Sequence, residues 1–371
     1  MIRLSRSIVG PLEAAAATKV IVEDGYLGMG QAVQKFEQEL KAYLGVKHVI
    51  CVNSGTAALH LAAQAAGLKE GDEVLIQSLT YVASFQAISA TGAVPVACEI
   101  LPESGLLDLA DAVRRLTART KAIMPVHYAS NPGNLDAIYA FAKANNLRVI
   151  EDAAHAFGCV YNRKMIGSFG DISCFSFDGI KNITSGEGGA VATNNDQIAE
   201  FIMNARLLSV ENDTAKRFSG ERSWEPDVRY QGYRYHMSNI LAAIGSVQLT
   251  RLESEFKPKR ISLAKQYRAA LSRLPQIKLL QGEPGDIVPH IFPIRVLNGK
   301  RDELRQYLME KQIQSGIHYR PNHLLTYYGA ATGKLPTTEA FHREIISLPL
   351  HPGLSNDDLE LVIDCLTNFF K

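Results

Sequence analysis

The sequence predicts an α/β protein: a mostly parallel sheet sandwiched by helices, followed by a smaller C-terminal α+β domain. Three observations predict it. The chain of 371 residues is too long for one ordinary core and suits one large and one smaller domain. From about residue 33 to residue 195, short β-branched runs alternate with helical patterns, as expected of a parallel sheet covered on both faces. A second αβ unit begins near Pro258.

Each element has a local reason. Ala32 to Leu44 carries Val33, Phe36, Leu40 and Tyr43 on one helical face, and Gly45 ends it. His48 to Val52 reads as a strand, and Ser54 opens a helix to about Ala66. Strand Val74 to Gln77, helix Tyr81 to Thr91 and strand Val94 to Cys98 follow. Next come helix Asp108 to Leu116, strand Ala122 to Val126, helix Leu135 to Ala144 and strand Leu147 to Ile150. Asp171 to Phe177 and Gly189 to Thr193 read as strands flanking a glycine-rich loop. Ser209 to Tyr235 is polar and aromatic and reads as loops; Asn239 to Leu252 reads as a long helix. The second unit holds helix Ile261 to Leu274, strand Val288 to Val296 and helix Arg301 to Lys311. The charged stretch Arg251 to Arg260 reads as the connection, which divides the chain into domains 1–255 and 256–371.

Composition narrows the function classes. Hydrophobic residues make up 46% and charged residues 21%, near the average for soluble globular proteins. The 39 basic and 38 acidic residues leave a net charge of +1. That gives no footprint for nucleic acid or an anionic membrane, so any anion site must be local. The five cysteines, Cys51, Cys98, Cys159, Cys174 and Cys365, are scattered without a C-x-x-C pair. They argue against a disulfide framework or a metal site and for buried thiols in a reducing compartment. Neither a signal peptide nor an apolar run of about 18 residues is apparent, and the cytoplasm is the expected location.

Four groups of residues can carry chemistry. Val52 to Leu59 runs from a strand through a small-residue turn into a helix, whose free N–H groups and dipole suit a phosphate; simple capping by Ser54 explains the same residues. Asp152 ends an apolar strand, where a carboxylate can meet a protonated pyridine nitrogen, a metal or a helix N-terminus. His155, three residues on, is either a satisfied core histidine or a partner for a ring oxygen. Lys181 lies between apolar segments before three glycines, and burial there would make its amine nucleophilic; a surface lysine is the ordinary alternative. Ser176 can add a phosphate hydroxyl. Tyr81 can stack on a flat ring or simply pack. Together these residues supply an anion cradle, a ring stack, a pyridinium partner and an imine-forming amine, the demands of pyridoxal 5'-phosphate (PLP).

The order of these residues resembles the DegT/DnrJ/EryC1/StrS family of PLP-dependent nucleotide-sugar aminotransferases, of fold type I. The resemblance runs through Asn53–Leu59, Ser78–Ser84, Lys121–Tyr128, Val149–His155, Cys174–Phe177, Lys181–Gly189 and Gly232–Asn239. It implies that Lys181 carries the cofactor as a Schiff base and then shuttles the proton between cofactor and substrate carbons. It implies that Asp152 pairs with the pyridine nitrogen, His155 lies near the ring oxygen and Tyr81 stacks on the ring. Gly55, Thr56, Ala57 and Ser176 bind the phosphate. It further implies a homodimer with shared active sites, in which Gly232–Asn239 reaches the neighbouring pocket. Many relatives have Asn where this chain has Arg234, and a charged Arg234 replaces a neutral phosphate contact.

The implied reaction moves an amino group from an amino acid, commonly L-glutamate, to a nucleotide-linked 3- or 4-keto-deoxysugar by a ping-pong course. His318, Arg320 and His323 meet the diphosphate, or belong to an ordinary polar loop, and Glu187 touches the sugar. A keto-sugar dehydratase of the same family is the first rival. Lys181 in place of histidine, and cysteines without cluster spacing, favour transamination. A non-catalytic sugar-sensing regulator is the second, and the intact set of Asp152, Ser176 and Lys181 argues against it.

Overall fold

The structure, a computed structural model, describes residues 1–371 apart from 212, 222–223, 225–226, 283–286 and 330–332. Its first unit is organised by β1 (His48–Val52), β2 (Glu73–Gln77), β3 (Val94–Cys98), β4 (Thr120–Met124) and β5 (Arg148–Asp152). A small hairpin, β6 (Val160–Tyr161) and β7 (Lys164–Met165), separates these from β8 (Ile172–Ser176) and β9 (Gly189–Thr193). The main sheet has seven strands in the order β1-β9-β8-β5-β4-β2-β3. Pairing is parallel from β8 to β3, and only β9 is antiparallel to its neighbours β8 and β1.

Every residue of β2, β8 and β9 is buried, because helices cover both faces of the sheet; that is why these strands read as continuous apolar runs. On one side Gly55–Ala65 buries seven consecutive residues, Ala57 to Ala63, in a core shared with Val74, Ile76, Ile150 and Val191. On the other, Gln31–Leu44 presents Val33, Phe36, Leu40 and Leu44 to a core with Leu75, Ile123, Phe157 and Phe175.

The second unit is a three-stranded antiparallel sheet, β10 (Ile277–Leu279), β11 (Phe292–Val296) and β12 (Ile345–Leu348). Helices Lys257–Leu271, Arg301–Glu310 and Asn356–Phe369 pack on it around Leu263, Tyr267, Leu304, Ile346 and Leu359. Ile2 packs against this core and bridges to Ile313, so the first residues of the chain join the second unit. Among the described residues no helix is long and apolar enough to cross a membrane.

The charged stretch Arg251 to Arg260, expected as the connection, is helical, and two further expectations need correction. Helix Asn239–Arg251 passes through one π turn, Leu252–Phe256, into helix Lys257–Leu271. Buried Leu252 and Phe256 anchor that turn, while its charged residues face outward. Within Ser209 to Tyr235, Asp213–Phe218 forms a short helix with an Arg217–Asp213 pair at 2.6 Å; residues 212, 222–223 and 225–226 lie outside the described set. β11 starts at Phe292, not Val288. The Val288 N–H bonds Cys159 Sγ instead, which diverts the preceding residues from the ladder.

Candidate active site

The carboxyl ends of β1, β2, β5 and β8 and the amino end of β9 open on one cleft of about 450 Å³. Parallel α/β sheets place ligands at this edge. The connection after β1 contributes Ser54, Gly55 and Thr56; that after β2 contributes Thr80, Tyr81 and Ser84. β5 contributes Asp152 and His155, β8 leads to Ser176, Asp178 and Lys181, and Glu187 precedes β9. His318 and Tyr319 of the second unit close the opposite side.

Ser54 caps the helix Gly55–Ala65, its Oγ accepting from the Ala57 N–H at 3.1 Å. A helix leaves its first N–H groups without internal partners. With that of Ala57 taken, those of Gly55 and Thr56 remain at the cleft. Ala57 itself is buried and does not line it. Glycine at 55 is a packing requirement: a Cβ there would lie 2.8 Å from Ser176 Cβ and 3.1 Å from its Oγ. The bare Cα lets the end of β8 crowd against the helix, and the Ser176 hydroxyl joins the positive end of the helix dipole.

Asp152 is the last residue of β5 and 5% exposed. Ser84 Oγ donates to its Oδ2 at 2.6 Å and the Ala154 N–H to its Oδ1 at 3.2 Å. These two donors fix the carboxylate at the cleft floor. Burial pushes the Lys181 amine down to about 8, against the pull of the Asp152 and Asp178 carboxylates. Its Nζ lies 3.4 Å from His290 Nε2. His155 is buried, and burial, then the charge of Lys181, hold its imidazole well below the usual range. Its Nε2 is 3.0 Å from the Tyr319 hydroxyl. The Tyr81 ring is 59% exposed and stands 5.6 Å from the Tyr319 ring at the open side of the cleft. Glu187 is exposed at the mouth, its carboxyl raised by partial burial and by Asp178. His318 Nδ1 meets Ser347 Oγ at 2.8 Å, and burial pushes this histidine down to about 4.

Besides Ala57, three residues expected at the site do not line this cleft. Arg320 is exposed and donates to the Leu324 carbonyl at 2.9 Å. His323 is buried, with Nδ1 2.7 Å from Ser78 Oγ and Nε2 3.5 Å from Glu339; it ties the second unit to the turn after β2. Arg234 is exposed and touches the cleft's surroundings through its carbonyl, which accepts from Asn53 Nδ2 at 3.4 Å.

A model of the DegT/DnrJ/EryC1/StrS aminotransferase family matches residues 10–367. The chain belongs to this family. It is 34% identical to the spore coat polysaccharide biosynthesis protein SpsC of Bacillus subtilis, over 99% of the chain and 96% of that protein. The sugar aminotransferase CalS13 of Micromonospora echinospora superposes with a TM-score of 0.91 at 26% identity, over 99% of this chain and all of that one. Spr1654 of Streptococcus pneumoniae in its PLP-form superposes at 0.90, with 27% identity over 99% and 98% of the chains. As a DegT/DnrJ/EryC1/StrS protein of this fold, the chain is a PLP-dependent sugar aminotransferase.

The residues present fit that cofactor. The glycine-lined helix start beside Ser176 is a cradle for a phosphate that an added Cβ would fill. The Nδ1 of His155 is buried without a hydrogen-bond partner among the described residues. A buried, donor-fixed carboxylate and a half-buried amine face the same space.

Sequence reasoning assigned no role to Ser84, Tyr319 or His290. Ser84 has a local signal: it lies three residues after Tyr81 on helix Val82–Ser89, one turn along the same side. Tyr319 and His290 have none, because they come from the second unit and only the tertiary fold brings them to the lysine.

Proposed function

We propose that this aminotransferase moves an amino group from an amino acid, L-glutamate, to a nucleotide-linked 3- or 4-keto-deoxysugar, in two half-reactions at one site. The observation that carries the reading is the meeting of a desolvated Lys181 amine, a donor-fixed Asp152 and a helix-start anion cradle in one cleft. When bound, pyridoxal phosphate supplies an aldehyde for amines and a ring that delocalises the electron pair left on carbon. Lys181 would hold the cofactor through its amine and, as a free amine, would take and return a proton at Nζ beside the substrate carbon. Asp152, held by Ser84, would pair with a protonated pyridine nitrogen. Gly55, Thr56 and Ser176 would hold the phosphate, with Tyr81 and His155 beside the ring. Glu187 and His318 orient the sugar from the mouth of the cleft.

Arg234 acts in the neighbouring subunit of a homodimer. Its exposure outside the cleft of its own chain supports this, as does exposed apolar surface nearby at Leu208 and Val228. We place the enzyme in the cytoplasm.

The test is a panel of keto-sugar nucleotides incubated with glutamate and the enzyme, with products read by mass. The expected result is an aminated sugar with one 2-oxoglutarate released per amine. A deoxygenated sugar without new nitrogen would identify a dehydratase instead. No amination with any nucleotide-linked ketone would remove the substrate class.

A further inference from the structure

Two buried histidines meet behind the lysine. His290 Nε2 lies 3.4 Å from Lys181 Nζ, and the His155 and His290 rings are 4.5 Å apart. His290 is 4% exposed. Its backbone is clamped from two sides. The Ser130 hydroxyl accepts from the His290 N–H at 2.9 Å and donates to the His155 carbonyl at 2.5 Å. Ser130 and its neighbour Ala129 hold φ values of 71° and 52°, a left-handed region that such side chains rarely occupy and that persists only where the surroundings over-determine it. On the other side the buried Arg260 guanidinium donates to the carbonyls of Pro289, His290 and Leu350.

The hydrogen-bond inventory selects the form of the imidazole. His290 Nδ1 is buried and meets no partner among the described residues. A proton there would be a buried donor without an acceptor. A proton on Nε2 leaves only a bare acceptor, the more tolerated shortfall in protein interiors. The doubly protonated ring is disfavoured: burial first, then Lys181, His155, Arg260 and His318, hold His290 well below the usual range. The proton therefore sits on Nε2 and points at Lys181.

We propose that His290 is a positioning residue that donates its Nε2–H to the lone pair of Lys181 Nζ, holding the lysine as a free amine whenever that nitrogen is not bonded to the cofactor. This rests on the reading of Lys181 as the cofactor lysine. An ammonium at the same place would set two donors face to face. The charged and titratable groups around the pair are Asp152, Asp178, His155 and His318 on the lysine side and Arg260 behind His290. The two carboxylates favour the ammonium, and burial and the donated bond oppose them. The clamp through Ser130 keeps the donor in line while the lysine moves between its two duties.

The test reads Lys181 protonation directly and needs no sugar, so its result is separable from the amination assay. The whole chain, freed of cofactor, is acetylated with acetic anhydride across a pH series, and the Lys181 peptide is quantified by mass spectrometry. His290→Phe keeps an apolar ring but removes the donor, and should raise the titration midpoint by about one pH unit. His290→Gln restores an N–H and should return the midpoint toward that of the unaltered protein. An unchanged midpoint in His290→Phe means that the residue only fills space, and a lowered one means that the imidazole accepts from an ammonium; either overturns the proposal. Nitrogen-15 NMR of the histidine-labelled protein decides independently of that variant's folding. A ring protonated on Nε2 supports the proposal, and one protonated on Nδ1 refutes it.

Discussion

The cleft has two walls of different origin. One is the edge of the seven-stranded sheet, where Asp152 and Ser176 are the last residues of β5 and β8 and Gly55 opens a helix directly after β1. The other is made of connections in the second unit, where His318 and Tyr319 line the cleft and His290 stands behind Lys181. The sheet wall holds the carboxylate and the hydroxyl at strand ends, which cannot shift without breaking ladder bonds. The far wall holds imidazoles and a phenol on connections. On the proposed reading, chemistry is attached to the rigid part and adjustment to the connections.

The largest effect that can break this division is at Lys181. Lys181→Ala should lower amination by roughly three orders of magnitude or more, because no other amine faces the carboxylate among the described residues of the cleft. Retained turnover would falsify the assignment. Asp152→Asn should lower the rate by about 10²-fold or more while PLP still binds, seen by absorbance. A milder loss would move the charge control to the far wall.

The far wall should show itself in stability toward acid. His318 is held down to about 4 from an ordinary value of 6.5. Its neutral form therefore contributes stability that is complete above about pH 6.5 and is lost as pH falls toward 4. The loss is on the order of 3 kcal/mol. Urea unfolding at both pH values should show the unaltered protein losing more stability than His318→Gln; equal losses would end this account. Ser84→Ala removes the donor to Asp152 Oδ2 and should cost about tenfold in kcat without altering sugar KM. Arg320→Ala should change both constants by less than about threefold, since its guanidinium is turned to the Leu324 carbonyl. A large rise in sugar KM would return Arg320 to the substrate.

The sheet wall was legible in the sequence because each of its groups follows a short apolar run within a few residues. Strand ends are visible as such, and Asp152, Ser176 and Lys181 are close to theirs. No such local signal placed His323, which the family resemblance set beside the diphosphate with a polar loop as the alternative; its buried bond to Ser78 is visible only in the fold. Local logic also left His290 unread inside what looked like one strand, Val288 to Val296. The strand begins only at Phe292; Pro289, which has no N–H for a ladder, is the one local sign, and the bonds to Cys159 and Ser130 that divert the stretch are tertiary. The conformation of the connection at Arg251 to Arg260 was not legible for a related reason: its charge gave no sign that Leu252, Phe256 and Arg260 are buried, and the buried pair Leu252 and Phe256 decided the conformation.

The one reversed strand has an effect on what can change around the lysine. Because β9 returns beside β8, with Gly189 opposite Ser176, the lysine rides on a tether whose two anchors are neighbours in the same ladder. An insertion into that tether would displace Lys181 relative to Asp152, because both strand ends are fixed. On the reading of Lys181 as the cofactor lysine, the arm that carries the amine must therefore keep its length.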